Sequence, residues 1–257
     1  MTVDVHTLIG GFPFRHIPHP EAEVLVRVLS REGVQSAWTG HLPSAYYRDP
    51  TPGNEALYEA LEPHARVLRP VPTIRPDWPG WEGALEVAAQ HRAPAVRAYP
   101  PQWGMGPHDD SLAVMARACG ELGMALVLTT RFEDMRQRHW LDAAGDLSGA
   151  TIRALARVAP NTRILVLAAG RALIEEVHWG LTESERSRVW WDISWLWGPP
   201  EDELARLLRS IGASRFVYGS GWPLRLPQTP RANLELLPAD LRAVRLADPA
   251  LLTAALA

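Results

Sequence analysis

The chain has 257 residues, 47% hydrophobic and 21% charged, with a formal net charge of −3. That length suits one large domain or two small ones, and the slight acidity argues against a nucleic-acid surface, which carries a basic stripe or patch. No apolar run is long enough to span a membrane and no charged-then-apolar leader precedes Asp4, so a cytoplasmic protein with neither membrane nor nucleic-acid partners is expected.

Two residue counts exclude chemistry. The single cysteine, Cys119, lies in MARACGELG, which forbids an internal disulfide and suits a buried thiol better than a nucleophile. All 26 basic residues are arginine. Without lysine there is no Schiff-base lysine, phosphate-loop lysine or lysine general base. A GC-rich genome explains the bias, since alanine and proline are also abundant, and the chemical exclusion holds regardless.

In chain order, β-like runs fall at 3–6, 35–39, 67–74, 95–99, 125–129, 163–167, 189–193 and 216–218. Helical patterns fill the gaps at 21–32, 54–61, 81–90, 111–122, 148–158, 171–178 and 201–211, with another helical region from Arg231. Ser111 and Ser148 suit N-caps, and Pro200 suits a first helical turn, where its missing N–H costs nothing. Strands separated by helices at this spacing imply βαβ units. Eight of them in one chain predict a single (β/α)8 TIM barrel over residues 1–257. An open doubly wound sheet would be expected to show a glycine-rich dinucleotide loop after its first strand, and none is there.

Barrel chemistry collects at the C-terminal ends of the strands. Here those ends read VDVHTLIGG, AWTGHLP, PTIRPDW, AVRAYPPQWG, LVLTTRFEDMRQRHW, LVLAAGR, WWDISWLWG and VYGSGWPLR. VDVHTLIG resembles the Asp-x-His-x-His-x-Gly opening of the amidohydrolase superfamily, in its branch of zinc hydrolases and decarboxylases acting on small carboxylates and lactones. GNEALYEAL with RVLRPVPTIRP resembles that branch's second helix and third strand, and YGSGWP its terminal Gly-Ser-Asp-Trp-Pro.

The resemblance implies a metal gripped by two histidines on strand one, histidines from strands five and six that position the substrate or metal, and an aspartate ending strand eight that takes a proton from the metal-bound water or binds the metal itself. Two histidines at i and i+2 point the same way and can grip one ion. His6 keeps the first position, but Leu8 stands at the second. Thr129 or Thr130 stands on strand five, Ala168 or Ala169 on strand six, and Gly221 where the aspartate belongs. One imidazole does not hold zinc tightly, so a dismantled metal centre is expected, with no metal and no cofactor.

The polar groups left at the mouth suggest two uses. Arg75, Arg97, Arg131 and Arg225 follow or lie within strands three, four, five and eight, and a ring of guanidiniums suits a carboxylate or phosphate. The competing reading pairs them with Glu133, Asp134 or Asp192 as structural bridges. In RFEDMRQRHW, Glu133 or Asp134 with His139 makes a candidate acid–base set, or else a solvated, self-paired loop. His6 and His41 are candidates for a shared two-histidine remnant, or His6 is a neutral core residue, and His16 and His19 form only a weak metal signal. Trp38, Trp103, Trp195, Trp197 and Trp222 near the strand ends suggest an aromatic-walled pocket, with a homo-oligomer interface or plain packing as the alternative. The long loop HLPSAYYRDPTPGN is a candidate lid.

The expected partner is a small anionic molecule with an apolar or aromatic body, contacted by His6, His41, Arg97, Arg131, Trp222 and Arg225. Three activities stay open: a non-catalytic ligand-binding barrel, a metal-free enzyme using Glu133, Asp134 and His139, and a metal-dependent hydrolase or decarboxylase with other ligands.

Overall fold

In the computed structural model, which describes residues 2–253, all eight expected runs form strands. They are β1 (Val3–Ile9), β2 (Ser36–His41), β3 (Leu68–Pro70), β4 (Ala95–Ala98), β5 (Ala125–Thr129), β6 (Ile164–Leu167), β7 (Val189–Asp192) and β8 (Phe216–Val217). Neighbours pair in parallel, in two ladders running β1-β2-β3 and β4 through β8. The two seams close by single bridges, Thr73 with Arg97 and Thr7 with Trp222. Backbone bonds reinforce the second seam, from Val5 N to Tyr218 O at 3.0 Å and from Leu8 N to Trp222 O at 2.8 Å. The result is the closed (β/α)8 barrel.

The strands are apolar on both faces because both are covered. Val5, Trp38, Val71, Ala125, Val127, Leu165, Leu167, Trp190 and Val217 fill the interior, and Leu252 from the C-terminal turn joins them. Their neighbours Val96, Leu126, Leu128, Ile164, Val166, Trp191 and Phe216 pack outward under the helices. β3 falls furthest short of its expected run, covering only Leu68–Pro70 of 67–74. Pro70 and Pro72 cannot donate to a ladder, so regular pairing stops there.

Several helix starts differ from the sequence reading. The second main helix spans Thr51–Leu61 and begins three residues early, with Pro52 in its first turn. Asn54 therefore sits inside the helix and clamps the end of β3, donating from Nδ2 to Thr73 O and accepting from Thr73 N, both at 2.8 Å. The helix Asp110–Glu121 is capped by Asp109, which accepts from Leu112 N, and Ser111 instead donates to that carboxylate. Ser148 does cap Gly149–Val158. Pro200 lies outside Glu203–Ser210, because a turn from Gly198 to Asp202 precedes that helix. The last main helix, Gln228–Glu235, begins before Arg231. No helix among the described residues is long and apolar enough to cross a membrane.

Candidate functional site at the barrel mouth

The site begins with an irregularity in β1. Asp4 pairs with Ala37 and Thr7 with Thr39, so β1 carries one more residue than β2 between these points. Such a bulge re-aims side chains. Val5 joins the interior cluster, and the next residue, His6, reaches across the barrel to β7.

His6 Nδ1 lies 2.7 Å from Asp192 Oδ2 and 3.2 Å from Ser194 Oγ. Asp192 is fully buried, and its other oxygen accepts from the Ala168 N–H at 2.8 Å. With Nδ1 committed, Nε2 is the nitrogen left for a ligand or a proton. Burial pushes the His6 pKa below its ordinary value, and Asp192 offsets part of that fall. Behind the pair, Asp4 Oδ1 accepts from the N–H groups of His6 and Ser220, both at 3.0 Å, stitching β1 to the end of β8. Burial raises the Asp4 pKa to about 7.

The glycines that end β8 make room for this pair. A Cβ on Gly219 would stand 2.7 Å from Asp192 Oδ2 and 2.9 Å from His6 Cβ. Gly221 has φ +76°, a conformation costly for other residues, and donates its N–H to His6 O at 2.9 Å.

Across the barrel, β3, β4 and β5 present an arc of buried donors. Arg97 is completely buried, and none of its three guanidinium nitrogens has a hydrogen-bond partner among the described residues. The same holds for Thr129 Oγ1, while Thr73 Oγ1 and Tyr99 OH stand near one another and near Arg97 without a well-aligned hydrogen bond. Burial pushes the Tyr99 pKa up, and the nearby Arg97 offsets part of the rise. The guanidinium flanks Gly40: a Cβ there would meet Arg97 Cζ at 3.4 Å and Leu8 Cδ2 at 3.2 Å.

Aromatic side chains roof the mouth. Phe12, Phe14, Tyr46, Tyr99 and Phe132 pack edge-on or tilted with centroids 5.1–6.1 Å apart. At the rim, Arg225 lies 3.5 Å from the centroid of Trp195, and Arg131 lies 5.2 Å from it on its own contact. Arg131 pairs with Asp146 at 2.8 Å, whereas among the described residues the Arg225 side chain reaches only the Ser194 carbonyl, at 3.3 Å. Burial lowers the Arg225 pKa to about 10.

The remaining expected residues scatter. Glu133 is buried and bonds Arg15 at 2.6 Å. Asp134 is held by Arg136, which drives its pKa well below the usual carboxylate range. His139 stacks on Phe14, and no hydrogen bond joins it to either carboxylate among the described residues. Arg75 pairs with Asp77. His41 bonds Ser44 at 2.8 Å and turns towards Gly10 and Gly53, sharing no partner with His6. His16 and His19 are exposed. Of the tryptophans, Trp38 belongs to the barrel interior and Trp222 packs against the outer core, so the wall of the mouth is chiefly phenylalanine and tyrosine. The sequence reading missed Asp4, Thr73, Tyr99 and Ser194 and treated Asp192 only as an arginine partner. For Asp192 the available signal was a lone charge closing the apolar run VWWD.

Residues at the family's metal positions do not make a ligand set. Zinc needs three or four protein ligands, and no three histidine, cysteine, aspartate or glutamate side chains converge on one point among the described residues. His6 Nδ1 is already engaged, and a guanidinium stands beside Leu8.

No family model matches the chain, and no curated protein matches it. Solved structures do. 5-Carboxyvanillate decarboxylase from Sphingomonas paucimobilis is 12% identical with a TM-score of 0.68, covering 99% of each chain. The fold is that of the amidohydrolase barrels. 2,6-Dihydroxybenzoate decarboxylase from Rhizobium is 9% identical with a TM-score of 0.64, covering 99% of this chain and 95% of its own. A probable 2-pyrone-4,6-dicarboxylic acid hydrolase from Acinetobacter baumannii, solved with citric acid bound, is 11% identical with a TM-score of 0.59 and coverages of 91% and 90%. At such identities the likeness to amidohydrolases is one of architecture.

Proposed function

We propose that this amidohydrolase-fold barrel works without a metal and binds a small carboxylate with an apolar or aromatic body at its arginine-bearing mouth. Arg97, Arg131 and Arg225 receive the acidic group, His6 offers Nε2, and the phenylalanine and tyrosine roof covers the ligand body. His41 and Trp222 stand behind the wall. The observation that carries this reading is Arg225, half-buried over Trp195 and bonded, among the described residues, to a single carbonyl. A guanidinium on an aromatic face with free donors suits a flat carboxylate. Two of the similar barrels were solved with citric acid or 2,6-dihydroxybenzoate bound, which supports the same ligand class.

A second reading, catalysis, has one observation in its favour. A buried histidine oriented by a carboxylate is the arrangement of a general acid–base group. Hydrolysis or decarboxylation of a small carboxylate would then centre on His6 and Asp192. Glu133, Asp134 and His139 are the weaker acid–base set, since Arg15 and Arg136 already neutralise the two carboxylates.

Titration calorimetry with benzoate, citrate and benzamide on chelator-treated protein tests the binding reading. Saturable heats with a carboxylate, and none with the neutral amide, are expected. Binding of benzamide as tight as benzoate would overturn it.

A further inference from the structure

Arg97 poses a problem that simple packing does not answer. Its side chain is entirely removed from solvent, yet none of its guanidinium nitrogens has a hydrogen-bond partner among the described residues. Burying a charge without a partner costs several kcal/mol. A structural arginine would have a carboxylate or carbonyls in reach, as Arg188 has in Ala156 O and Ala159 O, both at 2.9 Å.

The neighbours sharpen the point. Thr73 is bridged to Arg97 across the β3–β4 seam. Tyr99 lies two residues further along the chain, and Thr129 closes β5. Their hydroxyls are buried, and among the described residues none forms a well-aligned hydrogen bond, although Tyr99 OH stands close to Arg97 and Thr73. Four adjacent side chains on three strand ends therefore hold unused donors on one side of the barrel. The hydroxyls can accept as well as donate, but they carry no charge; what the guanidinium lacks is an anionic acceptor.

The position matters as much as the chemistry. Arg97 Cζ and Leu8 Cδ2 flank the same face of Gly40. Leu8 holds the place where the metal-binding pattern carries its second histidine. A fixed cation thus stands where a metal ion would be gripped, and the residues around it do not fit a metal.

We propose that Arg97 is the built-in cation of this barrel, seating one ligand carboxylate at the metal's place with Tyr99, Thr73 and Thr129 as supporting donors. The proposal rests on the carboxylate-binding reading and deepens it. The rim residues Arg131 and Arg225 then steer the ligand, and Arg97 holds its acidic group. A ligand reaches the seat past the aromatic roof, where Arg15 and Glu133 join the loop after β1 to the loop after β5.

The test uses thermal unfolding of the full chain with benzoate as probe, in wild type, Arg97→Met and Arg225→Met. Benzoate should raise the wild-type Tm in a saturable way, raise that of Arg225→Met less strongly, and leave Arg97→Met unmoved. Without benzoate, Arg97→Met should melt roughly 4 °C or more above wild type, because an unpaired buried charge is gone. A ligand-free Tm for Arg97→Met at or below wild type makes Arg97 a structural residue and overturns the proposal. Equal benzoate shifts in wild type and Arg97→Met overturn it while sparing the broader carboxylate reading. If benzoate, citrate and 2,6-dihydroxybenzoate all fail to shift wild type, both readings fall.

Discussion

His6 and Asp192 are 186 residues apart in sequence, yet their side chains meet at 2.7 Å inside the barrel. The contact joins β1 to β7 across the end of β8, and Gly219 is the residue that lets it pass. Asp192 is held in turn by the Ala168 N–H, so the imidazole has one orientation and presents Nε2.

Asp192→Asn should weaken this arrangement directly. A buried hydrogen bond to a charged group contributes about 1.5–3 kcal/mol. A fall of that size in unfolding free energy is expected from urea titration. The His6 pKa, followed by NMR, should drop further, because Asp192 is what pulls it upward against burial. An unchanged His6 titration would show that the pair is not coupled.

Gly219→Ala should cost more than its single methyl suggests. The new carbon would fall 2.7–2.9 Å from Asp192 and His6 atoms. Overpacking of this kind costs about 1–3 kcal/mol. The His6 ring signals should shift while those of surface histidines such as His16 stay in place. A neutral Tm would mean the strand end has slack.

Asp4 gives a pH dependence of definite sign. Its folded pKa of about 7 stands above the ordinary 3.8, so the folded state holds the proton more tightly. That contribution to stability is full below pH 4 and is lost as pH rises towards 7. Asp4→Asn should therefore gain on wild type in Tm between pH 5 and pH 8. His6 runs the other way. With its folded pKa depressed below 6.5, its contribution is lost as pH falls through the acid range. A wild-type to Asp4→Asn difference that stays constant across pH would contradict the assignment to Asp4.

Arg15→Ala tests the roof. Arg15 is 45% exposed, but its loss leaves the buried Glu133 carboxylate without its partner, a cost of about 1–3 kcal/mol. The Tm should fall by several degrees, while benzoate association, followed by tryptophan fluorescence in stopped flow, should speed up. Unaltered association kinetics would mean that ligands enter elsewhere.

The architecture was open to reading from sequence because barrel strands are buried on both faces. Continuous apolar runs such as ALVLT and ILVL, spaced by amphipathic helices, leave few other folds. Helix starts were less legible. Asp109 and Ser111 both suit a cap, and only the three-dimensional turn decides that Asp109 accepts from Leu112. At the mouth, Leu8 and Gly221 were legible as departures from the metal-binding pattern, whereas the contacts were not legible. His6 with Asp192 depends on a one-residue bulge and on cross-barrel proximity, neither of which has a local signature. Glu133, Asp134 and His139 stood close in sequence, yet Arg15 from a distant loop and Phe14 claim two of them.

The most direct measurement is calorimetric titration of benzoate into protein stripped with chelator, repeated after zinc is added back. The account predicts saturable binding to the stripped protein, with affinity unchanged by zinc. Binding that appears only with zinc, at about one ion per chain, would contradict it and return a metal ion to the mouth of the barrel.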